Sequence, residues 1–445
     1  MKDSADIGSR NEPFVDDWLI ERMQGVSLVL HPPAKREVVL VADRPWEGGN
    51  SAYYTAMQAG SGVRLYYRGY CPDDGSEDQA TCLAESGDGI HFTRPALGLY
   101  PFPGAPDNNI VYRGALSHNF TPFLDANPGA DPAARYKALA GTSGLHALGS
   151  PDGIHWHLLS PEPVITRGAF DSLNTAFWDA AARCYRSYSR YWTGGGWEGV
   201  RAIQSCTSED FLHWTDPQPN AYAGDAPLEH FYTNAAAPCP GAPHVYLSFP
   251  MRFMPERKKV PDHAWEGVSD AVFMSSRDGV RWDRRFAEAW VRPGPDPRNW
   301  TQRSNMPAWG IVQLDPGEFT MYISEHYSWN DNRLRRMTVR RHGFASVHAD
   351  RAGGEFVTRP ITFAGRSLIL NYATSAAGSV QVEVQDDASR ALPGYALDDM
   401  PPLYGDELDR AATWASGADL SALQGQPVRL RFRLSDADLF ALRFA

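Results

Sequence analysis

Ser150-Pro-Asp-Gly-Ile-His-Trp156 has three relatives in the same chain: Ser86-Gly-Asp-Gly-Ile-His-Phe92, Ser208-Glu-Asp-Phe-Leu-His-Trp214 and Ser276-Arg-Asp-Gly-Val-Arg-Trp282. An aspartate followed by glycine between apolar runs is a hairpin signal, because Asp bonds its own backbone and Gly takes the positive φ of the turn. The aspartates stand at 88, 152, 210 and 278, so the turn recurs at intervals of 64, 58 and 68 residues. A hairpin recurring at a period near 60 predicts a bladed repeat, and the fold class expected is all-β: a five-bladed β-propeller followed by a C-terminal β-sandwich.

The apolar runs around these turns are short and alternate with Gly- and Pro-rich breaks. The first blade reads Ala52-Tyr-Tyr-Thr-Ala-Met, Val63-Arg-Leu-Tyr-Tyr-Arg-Gly, Ala80-Thr-Cys-Leu-Ala-Glu and Ile90-His-Phe. Three more follow in the same style, their outer strands set at Ile154-His-Trp, Leu212-His-Trp and Val280-Arg-Trp. The fifth is built from Ala308-Trp-Gly-Ile-Val, Phe319-Thr-Met-Tyr-Ile and Leu334-Arg-Arg-Met-Thr-Val, with Phe344-Ala-Ser-Val outermost. Residues 1–45 are expected as an N-terminal segment that closes the ring or packs beneath it, residues 46–350 as the propeller, and residues 351–445 as the sandwich, with the boundary at Gly353-Gly354. Helical signal is confined to Glu407–Arg410 and Leu420–Leu423.

Composition narrows the partners. A net charge of −11 argues against nucleic acid and against an anionic membrane surface, and no apolar run is long enough to span a bilayer. Met1–Arg10 has no apolar core, so no secretion signal is read, which leaves a cytoplasmic location or a periplasmic or secreted one after signal removal. The five cysteines (71, 82, 184, 206 and 239) have no metal-ligand spacing, and buried free thiols are expected, with a Cys71–Cys82 bridge as the alternative. No cofactor is expected, although the propeller axis leaves room for a structural calcium ion. A carbohydrate suits the aromatic-rich loops.

In a propeller, the loops into the first strand of each blade and out of the second share one end of the ring. Here that end gathers Trp46-Glu47, Ser117-His118-Asn119, Asp171-Ser-Leu-Asn174, Glu229-His230-Phe-Tyr232-Thr-Asn234 and Arg303-Ser-Asn305, with Arg68, Arg190, Arg252 and Glu325-His326-Tyr327 leaving the second strands. Carboxylates, arginines and aromatics round one funnel fit glycosidic cleavage, which needs one acid to protonate the leaving oxygen and one carboxylate to attack or activate water. Asp171, Glu229 and Glu325 are the catalytic candidates. Glu47, Arg68, His118, Asn119, Asn174, Arg190, Tyr232, Asn234, Arg252, Arg303, Asn305 and His326 are the substrate-binding candidates, and no metal ligands are expected. The opposite turns, such as Asp125-Ala-Asn-Pro-Gly and Asp315-Pro-Gly, are ordinary turn chemistry.

Five blades, the Ser-x-Asp-Gly-x-His-Trp turn and the sandwich together resemble the superfamily of glycoside hydrolase families 32 and 43. The likeness is carried by Phe14-Val-Asp-Asp-Trp-Leu-Ile, Asp171-Ser-Leu-Asn-Thr-Ala-Phe-Trp-Asp179, Phe231-Tyr-Thr-Asn234 and Gly267-Val-Ser-Asp-Ala-Val-Phe-Met-Ser-Ser-Arg-Asp-Gly279. The resemblance implies a five-bladed propeller with three central acids, and the leading reading is a glycoside hydrolase, exo-acting on a terminal sugar of a plant or algal glycan. The Asn-Asp-Pro, Arg-Asp-Pro and Glu-Cys motifs of invertase-type enzymes are absent, so no catalytic role is transferred residue by residue. The turn is also similar to the Asp-boxes of sialidases, and Arg68, Arg190, Arg252 and Arg303 have the chemistry to hold a carboxylate or sulfate. Two other readings stay open. One is a lyase for uronic-acid glycans with His118, His326 or Tyr327 as base, and the other is a propeller that binds glycans without cutting them.

Overall fold

Each of the four recurring turns is a closed hydrogen-bond cage. In the first, the Asp88 carboxylate accepts from the backbone N–H groups of Ile90 (2.9 Å) and His91 (2.8 Å) and lies 2.7 Å from the His91 ring, while Ser86 Oγ accepts from Gly89 N at 2.9 Å. The cage recurs around Asp152, Asp210 and Asp278. These contacts come from a computed structural model that describes residues 4–70, 79–224 and 226–445. The chain divides into two units, residues 33–338 and residues 1–32 with 339–445.

Residues 33–338 hold five sheets of propeller type. The first blade is Ala52–Ala59, Gly62–Gly69, Ala80–Ser86 and Ile110–Arg113; the second is Thr121–Leu124, Tyr136–Ala140, His146–Ser150 and His157–Leu158. Thr175–Asp179, Cys184–Trp192, Arg201–Ser208 and Gln218–Pro219 form the third. The fourth runs Ala237–Cys239, Ala242–Ser248, Met274–Ser276, Arg281–Asp283, and carries a separate three-stranded sheet (His230–Phe231, Met251–Met254, Val268–Ala271). In the fifth, Met306–Pro307, Glu318–Glu325 and Arg333–Arg340 are completed by Ala34–Val41 from near the N-terminus.

The turn cages join one blade to the next. A buried tyrosine on the second strand of one blade donates to the carbonyl of the neighbouring turn: Tyr322 to Gly89 (2.8 Å), Tyr66 to Gly153 (3.0 Å) and Tyr188 to Gly279 (2.7 Å). Between the second and third blades the contact is aromatic, Phe123 against Phe211 at 5.6 Å. Trp309 Nε1 donates to Ala236 O at 2.8 Å and Asn305 Nδ2 to Ser269 O at 2.9 Å, linking fourth to fifth. With Thr55 bridged to Trp309 between fifth and first, the ring is closed.

Several expectations shift. The outer strand of the first blade is Ile110–Arg113 rather than Ile90–Phe92, because residues 90–92 belong to the turn cage itself. Phe344-Ala-Ser-Val is not the edge of the fifth blade. Ala345–Ala349 pairs instead with Ser27–Leu30 and Arg429–Phe444, so the N-terminal 45 residues serve two units: up to Pro32 one, and Ala34–Val41 the other. Glu407–Arg410 lies in the strand Asp406–Ala411, paired with Leu368–Gln385, since alternation overrides its helical composition there. Cys82, Cys184, Cys206 and Cys239 are free thiols, and Cys71 lies outside the described residues.

The other unit is a β-sandwich built on two long antiparallel strands, Leu368–Gln385 and Arg429–Phe444. Their register slips between Thr374 and Ser379, which divides the pair into two halves with different neighbours: Ala345–Ala349 beside one, Gly354–Thr358 beside the other. Phe356, Val382, Leu430 and Phe432 are buried between the halves, joined by Phe14 and Leu19 from the N-terminal segment.

Candidate functional site

In the loops into the inner strands most of the polar groups are spent on backbone. Asn119 Nδ2 donates to Gly141 O (3.0 Å) and Ser172 O (3.1 Å), and Asn174 Nδ2 to Phe170 O (2.9 Å). Asn234 Nδ2 reaches Leu173 O (3.0 Å), and Asn305 Nδ2 reaches Asn299 O (2.9 Å). All four amides are buried, so they staple loop to loop and blade to blade. Expected as sugar ligands, they spend their N–H groups on backbone carbonyls that would otherwise be buried and unpaired.

Three of the expected acids are likewise held inside ion-pair networks. Glu325, 2% exposed, lies 3.0 Å from Arg333 Nε, 3.0 Å from Arg335 Nε and 3.5 Å from Lys35 Nζ, all on the outer strands of its own blade. Burial pushes its carboxyl up, but these cations outweigh burial and leave it below the ordinary glutamate value. Glu229 pairs with Arg284 (2.6 Å) and Arg252 (3.0 Å), and Arg252 in turn holds Asp270 at 2.7 Å. Glu47, fully buried, accepts from Tyr67 (2.5 Å) and Arg94 (2.8 Å). His326 has a ring nitrogen 2.9 Å from Asp331 and the other 2.8 Å from Asp296. Glu229, Glu325, Glu47, Arg252 and His326 therefore brace blades, and none contacts Asp171 among the described residues.

What remains open is a cavity of about 230 Å³ lined by Asn50, Arg68, Tyr70, Gln79, His118, Trp265, Gln302, Arg303, Tyr327 and Ser328. Its floor is Tyr327, whose hydroxyl accepts from Arg68 Nη2 (3.2 Å) and Arg303 Nη1 (3.1 Å). Burial pushes this phenol up, yet the two guanidiniums outweigh it and leave it below the ordinary tyrosine value. A phenolic oxygen has two acceptor sites and one donor. Both acceptor sites are taken here, and the O–H has no acceptor among the described residues.

His118 stands 3.3 Å from Arg68. Burial first, and Arg68 second, push it down to about 3, so the imidazole is neutral at physiological pH. Tyr53, tilted against His118 at 5.7 Å and lying under the Arg68 guanidinium at 4.7 Å, donates to the backbone carbonyl of Asp171 at 3.1 Å. The Asp171 carboxylate is ion-paired with Arg190, which lies over the Tyr232 ring at 4.9 Å; Arg303 lies over the same ring at 5.3 Å. Tyr53 and Tyr232 thus connect Asp171 to Tyr327. Of the expected site residues the structure brings together Asp171, Arg68, His118, Arg190, Tyr232 and Arg303.

Sequence reasoning missed Tyr53 and Arg201. Arg201 opens the third strand of its blade and lies over Trp192 (4.2 Å) and Tyr232 (5.4 Å). For Tyr53 the missing signal is backbone: Tyr53, with Ala235, Arg303, Asn305, His326 and Ser328 in the loops and strand ends, has φ between 43° and 65°. Left-handed non-glycine residues cost energy and cluster where a site over-determines its geometry. Among the described residues no group of three or more His, Cys, Asp or Glu side chains is arranged to hold a metal ion.

No family model matches the chain, and no curated protein does. Solved structures do. One described as a glycoside hydrolase aligns with a TM-score of 0.50 at 11% identity, covering 69% of this chain and 92% of that one. An N-acetylgalactosamine deacetylase from F. plautii, in complex with blood group B trisaccharide, aligns at 0.45 and 13%, with 71% and 96% covered. A glycosyl hydrolase from Bacteroides ovatus aligns at 0.43 and 14%, with 74% and 96% covered. The first shares its fold with this chain. At these identities the likeness is one of architecture, and the chemistry is argued from the site.

Proposed function

We propose that the protein is a glycoside hydrolase of the propeller type that removes a terminal sugar from a plant or algal glycan, with its reaction centre between Asp171 and Tyr327. The observation that carries this reading is the Tyr327 hydroxyl, which accepts from two arginines on the wall of a cavity. A phenol made more acidic by two guanidiniums is suited to protonate the leaving oxygen as the glycosidic C–O bond breaks. Asp171 supplies negative charge to the anomeric carbon and takes a proton from the attacking water, whose hydroxyl completes the hemiacetal. The proton then returns from Asp171 to the Tyr327 phenolate through solvent, and the site is restored. At about 230 Å³ the cavity is smaller than the roughly 300–1,000 Å³ of sites for drug-sized ligands, which favours one terminal ring over an internal chain segment. Exposed Trp265 on its rim offers a stacking face.

The reading is tested by incubating the protein with a panel of plant and algal oligosaccharides and following reducing ends together with ultraviolet absorbance. Asp171→Asn and Tyr327→Phe are each expected to lower kcat, measured per folded molecule, by about 10²–10⁴-fold, the range for loss of a positioned proton-transfer group. Release of an ultraviolet-absorbing unsaturated product would replace hydrolysis by elimination, and turnover near normal in both variants would overturn the assignment.

A further inference from the structure

The arginines of the mouth differ from those elsewhere in the propeller in how little negative charge they meet. Arg252, Arg284, Arg333 and Arg335 each lie within 3.0 Å of a carboxylate. Arg68, Arg201 and Arg303 have no carboxylate partner among the described residues, and Arg190 has Asp171 alone. Their positions are instead fixed by tyrosine faces: Arg68 over Tyr53, and Arg190, Arg201 and Arg303 around Tyr232. Four guanidiniums crowded round two phenol rings, with one carboxylate between them, repel one another. A chain of net charge −11 has acids enough to neutralise them, yet the described residues place none beside three of the four.

Their donors are also unspent. Nε of Arg68, Nε and Nη1 of Arg190, Nε of Arg201 and Nε of Arg303 are buried with no hydrogen-bond partner among the described residues. Arg68 and Arg190 are 5% and 3% exposed. Buried guanidinium N–H groups left unpaired are costly, so these side chains hold donor capacity and charge that the described residues do not satisfy. Histidine adds no competing charge, because His118 is neutral, whereas Asn50, Gln79 and Gln302 on the cavity wall offer neutral partners for hydroxyls.

We infer that the sugar taken by this cavity carries an oxyanion, a carboxylate or a sulfate ester, held by Arg68 and Arg303, the two guanidiniums that line it, with Arg190 and Arg201 sharing the Tyr232 ring with Arg303. This rests on the glycosidase reading and names its substrate class. Planar guanidiniums match the paired oxygens of such groups, and binding one brings the excess positive charge of the mouth toward neutrality. The arrangement also couples binding to chemistry: the two arginines that would grip the anion are the two that hold Tyr327.

The experiment is calorimetric titration of the full chain with methyl galacturonide, its methyl ester, galactose 6-sulfate and methyl galactoside, repeated at low and high salt. The inference expects one of the two acidic sugars to bind about 10- to 100-fold tighter than its neutral counterpart, the factor for a charge-assisted hydrogen bond, with the advantage shrinking in salt. Preference for the galacturonide identifies a carboxylate, and preference for the sulfate a sulfate ester. In Arg303→Gln, checked by its melting curve, the ratio of acidic-sugar to neutral-sugar affinity should collapse toward one. Equal binding of acidic and neutral sugars by the unmodified protein would overturn the inference. Hydrolysis of neutral glycans without preference would leave the hydrolase reading standing and remove this one; acid-selective binding with no cleavage of any oligosaccharide would do the reverse.

Discussion

At the scale of single residues, the decisive contrast is between Glu325 and Asp171, two acids with similar sequence surroundings. Glu325 has three cations round a buried carboxylate, so Glu325→Gln leaves Lys35 and Arg335 without a carboxylate partner among the described residues and Arg333 with Asp296 alone. Removing one member of a buried ion network costs about 3–5 kcal/mol. Denaturant unfolding of this variant should show that loss, while turnover per folded molecule is retained. Tyr327 makes a prediction in pH. As a proton donor it works only when protonated, so kcat should fall as pH rises through a pKa below the ordinary tyrosine value of about 10. Arg303→Gln removes one of the charges that depress it and should move that alkaline limb to higher pH, which a pH–rate profile reads directly.

At the scale of elements, the turn cage is the unit that makes a ring out of blades. Tyr66, Tyr188 and Tyr322 each spend one hydroxyl on a neighbouring turn carbonyl, and Tyr→Phe at each should cost about 1–1.5 kcal/mol. The three contacts belong to different blade junctions, so the costs should add in the triple variant, as unfolding free energies can verify. The third cage departs from the others: Phe211 stands where the rest have glycine, at φ 70°, fully buried against Phe123, Tyr185 and Trp214. Its ring replaces the tyrosine clasp, and packing offsets the strained backbone. Phe211→Gly relieves about 1–2 kcal/mol of left-handed strain but forfeits about 3–5 kcal/mol of burial. A net loss is expected in thermal unfolding, the opposite of what the motif alone would favour.

For the whole molecule, the turn cages and the fifth-blade network share one electrostatic sign. Burial pushes Asp152, Asp210 and Glu325 up, but backbone N–H groups, histidines and arginines outweigh it and hold all three below their ordinary values. A depressed carboxyl contributes stability that is complete above its unfolded pKa, near 4, and is lost as pH falls through the folded value. The thermal midpoint should therefore be level above about pH 5 and decline steadily below about pH 4. A midpoint insensitive to acid would mean that the cages carry little of the stability.

The sequence by itself determined the recurring turn, and through it the blades, because each cage closes between residues no more than three apart. It also gathered the polar strand ends at one mouth, since that follows from strand alternation and chain order. Only the tertiary structure decided which of those groups face the cavity. Asn119 spends its amide on Ser172, and Glu325 is claimed by Lys35, a strand delivered from the far end of the chain. Arg68 meets Tyr327 across 259 positions, and its remaining donor stays unpaired. A polar side chain near a mouth is structural or functional according to whether a distant partner satisfies it, and that partner is set by the closing of the ring.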